Sequence, residues 1–79
     1  MPVVLTVAGF QVHIYLPPRE HEPPHVHVVK GGTEVVVTLA NPPQVREVRR
    51  MSNRDAVRAY RIVSDHRAML LAEWRRYHG

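Results

Sequence analysis

Glu22-Pro23-Pro24-His25-Val26-His27-Val28-Val29-Lys30-Gly31-Gly32 is the stretch on which the fold turns. Its two prolines hold the backbone extended and cannot donate to a β-ladder. From His25 to Lys30 polar and apolar side chains alternate at first, His25 and His27 against Val26 and Val28, which is the period of a strand. Gly31-Gly32 then offers two positions that accept positive φ at no steric cost, as a two-residue hairpin turn requires. The stretch reads as a stiff approach, a strand and a tight reversal.

The neighbouring segments extend that reading in both directions. Thr33 to Leu39 forms the returning strand, with Val35, Val37 and Leu39 on one face and Glu34, Val36 and Thr38 on the other. Upstream, Val3 to Ala8 is β-branched and apolar, and Phe10 to Tyr15 alternates around the interruption at Gly9. Phe10, Val12 and Ile14 are expected in the core; Gln11, His13 and Tyr15 face the other side. Pro17 to Pro24 is a loop, stiff at both ends, that exposes Arg19, Glu20, His21 and Glu22.

Ala40-Asn41-Pro42-Pro43 breaks the sheet. Val45-Arg46-Glu47-Val48 alternates only in part, so a fifth short strand there is optional. Ser52 is a helix N-cap with Asp55 three residues on, in the pattern of a capping box. Ala56, Tyr60, Val63, Leu70, Trp74 and Tyr77 then recur at helical spacing, with Arg67 in the one missing step and Ala59, Ile62, His66 and Met69 flanking the stripe. Arg75, Arg76 and His78 suit a helix C-terminus, where positive charge opposes the dipole. The expectation is a single α+β domain over 1–79. Residues 1–51 form sheet and loops: an antiparallel sheet of four strands, or five, built from two hairpins. One long C-terminal α-helix over 52–78 packs on one face.

Composition narrows the function classes. At 79 residues the chain makes one domain with a thin core. It has no cysteine, which removes disulfides and thiolate metal sites. No apolar run approaches the roughly 20 residues of a membrane span, and residues 1–10 lack the pattern of a signal peptide. A soluble, cytoplasmic protein is expected, with no cofactor. The formal charge is +4, and all but one of the 11 Lys and Arg side chains are arginine, the exception being Lys30. Guanidinium forks suit phosphates and carboxylates, so RNA, DNA or an acidic protein is a natural partner. A basic surface with no ligand accounts for the charge equally well.

His25 and His27 leave the same strand face, roughly 6–7 Å apart by strand rise. Histidine serves as acid or base near neutral pH, and RNA cleavage through the 2′-hydroxyl needs a base, an acid and a cation. His25 and His27, with Arg19 or Lys30, could supply these. A metal reading would recruit His13, His21, Glu20 or Glu22, but lacks cysteine and any standard zinc spacing, and no metal ligand is assigned. The plainest alternative has both histidines bonding loop backbone, or pairing with Glu20 and Glu22 to hold the proline loop. His66 lies among core-facing helix positions; it is a secondary catalytic candidate, or a satisfied core group, for example one donating to a strand carbonyl. Tyr60 and Trp74 are core anchors by the same logic. Arg54, Arg58 and Arg61, with Arg46, Arg49 and Arg50, form a basic run around the helix start, and are read either as a contact for nucleic acid or as a solvated face. Arg19, Glu22, Lys30, Arg54, Arg58 and Arg61 are therefore the candidate binding residues.

Four segments together carry a resemblance: Met1-Pro2-Val3-Val4-Leu5, His21-Glu22-Pro23-Pro24-His25-Val26-His27-Val28, the Gly31-Gly32 hairpin, and His66-Arg67-Ala68-Met69-Leu70-Leu71-Ala72-Glu73-Trp74. The chain resembles, over nearly its whole length, a family of small bacterial proteins known only as a domain of unknown function, with an E-P-P-H-x-H signature and a C-terminal helix ending near a tryptophan. Members often sit beside a gene for a second small domain, in a pair that resembles a type II toxin–antitoxin module with this domain on the toxin side. The resemblance implies a cytoplasmic protein neutralised by a small antitoxin-like partner. It points to His25 and His27 as functional residues shaped by Glu22 and the prolines, and matches His66 to the helix histidine. A homodimer is a further expectation, from the open sheet face and edges.

Overall fold

The structure, a computed structural model, describes residues 2–17 and 21–79. Arg19 and Glu20 lie outside the described residues. Five strands, β1 (Val3–Val7), β2 (Phe10–His13), β3 (His25–Lys30), β4 (Thr33–Thr38) and β5 (Gln44–Arg49), form one sheet in the order β1-β2-β3-β4-β5, every neighbour antiparallel. The two expected hairpins are present, but they belong to a continuous meander. The β3–β4 turn places Gly31 at φ 53° and Gly32 at φ 77°, as the sequence requires. The β1–β2 turn repeats that geometry with a less suitable residue, Ala8 at φ 50°.

The optional fifth strand is present as β5, and its imperfect alternation has a cause. Val37 pairs with Val45 and Val36 with Glu47, so Arg46 is an extra residue, a β-bulge. The bulge resets the side-chain phase, so that Val45 and Val48, three apart in sequence, share the face of Val37 and Val35.

One sheet face carries Phe10, Val12, Ile14, Val26, Val28, Val35 and Val37, all fully buried. Helix α1 (Asn53–Asp65) covers it through Ala59, Ile62 and Val63. Ser52 caps α1 by accepting from the Asp55 amide at 3.1 Å. The Asp55 carboxylate meets Lys30 Nζ at 3.4 Å rather than closing a reciprocal capping box.

The single long helix is corrected to two, α1 and α2 (Arg67–His78), broken at His66, whose φ of −115° and ψ of 18° leave the helical region. The cause is written in the apolar stripe. Arg67 stands at its one unfilled step; a straight helix would press the guanidinium onto the core. At the break Arg67 Nε instead donates to the Ala40 carbonyl at 2.7 Å, and His66 Nδ1 donates to the Ile62 carbonyl at 2.8 Å. Tyr60 Oη holds the same loop through the Pro43 carbonyl, at 2.7 Å. Beyond the break α2 buries Leu70 and Trp74 and carries the tryptophan to the proline loop.

Candidate functional site: a histidine cluster on the sheet face opposite α1

Strand alternation sends the other half of each strand to the face away from α1: Gln11 and His13 on β2, His25, His27 and Val29 on β3, and Glu34, Val36 and Thr38 on β4. Tyr15 continues the β2 series. The register then decides who meets whom. The two-residue turn pairs Val29 with Glu34 and His27 with Val36, so Glu34 is the diagonal neighbour of His27. His27 Nδ1 donates to Glu34 Oε2 at 2.5 Å. A carboxylate accepting from Nδ1 fixes the tautomer and the orientation of the ring.

The network continues onto β5. Arg49 Nη1 lies 3.5 Å from Glu34 Oε1, and Arg49 Nε donates to Glu47. That bond holds the Glu47 carboxyl below its ordinary range and pushes the Arg49 guanidinium further up. On the other flank, Tyr15 packs over the His27 ring at 4.2 Å between centroids.

His25 is built differently. Its Nδ1 donates to the Pro23 carbonyl at 2.8 Å, two residues back, which ties the strand to the proline approach. Its ring lies 5.4 Å from His27, edge-on, and 5.0 Å from Trp74. Trp74 stacks in turn on His78, 3.7 Å away and nearly parallel, while its Nε1 donates to Glu22 Oε2 at 3.2 Å. His78 Nε2 donates to the Tyr15 carbonyl at 2.9 Å. A chain of ring contacts thus runs from His13 through Tyr15, His27, His25 and Trp74 to His78. His25 is 2 % exposed and His27 8 %, so both imidazoles sit in the wall of the domain.

His13, paired across the strand with His27, completes the cluster. Its Nε2 donates to Gln11 Oε1 at 3.2 Å, and its Nδ1 is buried without a hydrogen-bond partner. Burial lowers its pKa from the usual 6.5, and the charge of His27 lowers it further, with Glu34 pulling the other way.

The expected site residues fall into separate places. His25, His27 and Glu22 come together. His66 sits at the helix junction, outside the ring chain, half-buried and bonded to the Ile62 carbonyl of its own helix rather than to a strand carbonyl. Lys30 points to the α1 face, over the Phe10 ring and toward Asp55, and so does not share a face with the histidines. Arg54, Arg58 and Arg61 stand exposed along α1. Arg19 lies outside the described residues. Among the described residues, no group of three or more His, Asp or Glu side chains is placed to hold a metal ion. Glu34 is a site residue that the sequence does not single out, and Arg49 is marked there only as part of the basic run around the helix start, not as a neighbour of the histidines. The Gly31-Gly32 register was the available signal for Glu34; nothing local marks that role for Arg49, whose phase depends on the bulge.

An α+β domain with a five-stranded antiparallel meander, two helices and an imidazole–carboxylate cluster on the face opposite α1 defines the class of protein. The chain belongs to the family described as "Domain of unknown function (DUF4160)", whose model matches residues 9–75. No curated protein matches it, and no solved structure does. Among the described residues, no helix is long and apolar enough to cross a membrane.

Proposed function

We propose that the protein is the toxin-like component of a bacterial type II toxin–antitoxin pair, acting in the cytoplasm on RNA through its histidine-bearing sheet face and held in check by a small protein partner. The observation that carries this reading is the His27–Glu34 bond, which fixes the tautomer and orientation of an imidazole on a rigid strand. In the reaction, His27 Nε2 takes the 2′-hydroxyl proton while O2′ bonds to phosphorus. The P–O5′ bond breaks, and O5′ leaves with a proton from the imidazolium of His25, giving a cyclic phosphate and a 5′-hydroxyl. Arg49, on the same face, is the cation for the phosphorane; Lys30 cannot be. The decisive assay pairs growth inhibition with cleavage of labelled RNA by purified protein in a chelator. His25→Ala with His27→Ala should abolish both in a folded protein. Retained growth inhibition would end the reading.

A second reading, a non-enzymatic module that binds a protein or nucleic acid, is favoured by a specific observation. His25 is almost wholly buried and its Nδ1 is committed to the Pro23 carbonyl, which suits an anchor of the proline loop better than a proton donor. It expects no turnover, and binding that weakens when Arg54, Arg58 and Arg61 are neutralised.

A further inference from the structure

Val45 and Val48 lie on the α1 side of the sheet, yet α1 leaves them 46 % and 47 % exposed. Val57 on α1 faces the same space and is 53 % exposed. Between them runs a groove of about 310 Å³ lined also by Ala56 and Tyr60. β5 is the last strand of the sheet, and all six of its residues are exposed. Its outer backbone edge is a template for one more strand. Arg46, Arg50 and Arg54 stand exposed around this edge, while Arg49 is engaged by Glu34 and Glu47.

The geometry points to a docking site for an extended acidic segment of a partner protein, added to β5 as a sixth strand with its apolar side chains in the Val45–Val48–Val57 groove. Strand addition uses these parts: an open ladder for affinity, alternate-residue pockets for specificity, and complementary charge for orientation. A second copy of this chain fits poorly, because two β5 edges would set Arg46 and Arg50 of each against those of the other. RNA fits less well than a polypeptide, because a valine strip offers no stacking platform and the one ring in the groove, Tyr60, has its hydroxyl tied to the Pro43 carbonyl. In assuming a protein partner, the inference rests on that half of the proposed function.

The test uses the full chain and a labelled peptide of alternating glutamate and valine, matched to the 6 residues of β5. A lysine–valine peptide and a single-stranded RNA serve as competitors. Anisotropy should show saturable binding of the acidic peptide, and amide resonances of β5 and of Val57 should shift while those of β3 do not. Val48→Glu, at a half-exposed position, should weaken binding at least tenfold, with an unchanged circular dichroism spectrum. No binding, equal binding of the lysine peptide, displacement by RNA with the same shifts, or self-association through β5 on sedimentation would each overturn the inference. The catalytic reading fails separately: peptide binding with no RNA cleavage leaves the dock standing, and cleavage lost in His27→Ala with no peptide binding removes the dock alone.

Discussion

Glu34→Gln isolates the bond around which the candidate site is arranged. The substitution keeps the shape of the side chain and removes its charge. In the native protein the His27 and Glu34 side chains are 10 % and 18 % exposed and meet at 2.5 Å. A hydrogen bond with a charged partner in such a setting contributes about 1.5–3 kcal/mol, against about 0.5–1.5 kcal/mol for a neutral pair. Glutamine can still accept from Nδ1, so the expected loss is the difference, about 1–1.5 kcal/mol. Arg49 adds little, since it is more than half exposed and keeps Glu47. For a chain of this length that is a drop in melting temperature of about 4–12 °C. The assay is urea unfolding of the wild type, Glu34→Gln, His27→Phe and the double variant, with phenylalanine keeping a ring beneath Tyr15. The double-mutant cycle should return a coupling of about 1 kcal/mol between positions 27 and 34. A coupling within about 0.3 kcal/mol of zero, the usual range for independent sites, would refute the claim that this bond organises the face.

Two further outcomes follow from the backbone and from His13. The lowered pKa of His13 means that the unfolded chain takes up a proton first as pH falls, so this stabilisation is complete above pH 6.5 and is lost below it, down through the folded-state pKa. Urea midpoints between pH 7.5 and 5 should therefore slope downward with acid, and His13→Gln should flatten that slope; an unchanged slope would sink the assignment. Ala8→Gly relieves the left-handed residue of the first turn, at φ 50°, and should raise stability by about 0.5–1 kcal/mol, whereas Gly31→Val at φ 53° should lower it by about 1–2 kcal/mol, both read from thermal unfolding.

Where one local rule decides the structure, the sequence sufficed. The Gly-Gly turn and the alternation of β2, β3 and β4 both follow from steric or periodic constraints that act within a few residues, whereas the Pro-Pro approach, expected to be extended, bends at Glu22 and Pro23. The sorting of His13, Tyr15, His25 and His27 to one face was legible for that reason. The failures lie where two segments negotiate. Arg67 in the apolar stripe could be read as a flaw tolerated by a straight helix or as the reason for a break; only the Ala40 carbonyl across the loop decides between them. The alternation of β5 failed because a bulge inserts Arg46, and a bulge is set by the partner strand as much as by its own residues. Glu34 reaches His27 because the hairpin register brings it alongside, a long-range placement that the sequence pattern did not single out; Glu20 lies outside the described residues.

The break at His66 joins these results. A small antiparallel sheet has two faces, and one straight helix can cover only one of them. By turning after His66, α2 keeps Leu70 in the core and brings Trp74 against His25, within reach of Glu22. The tryptophan thus serves both the core and the face opposite α1, and His78, one turn further on, closes the link by donating to the Tyr15 carbonyl. The histidines are buried because α2 and Tyr15 cover them, and they remain polar because each has a defined acceptor: Pro23 for His25 and Glu34 for His27. A domain with so thin a core gains little stability from polar groups set there, since apolar residues of similar volume are often neutral or better. Stability alone therefore does not require a fixed-tautomer imidazole beside a carboxylate at the centre of this face, and that makes His27, more than His25, the residue on which a chemical function would rest.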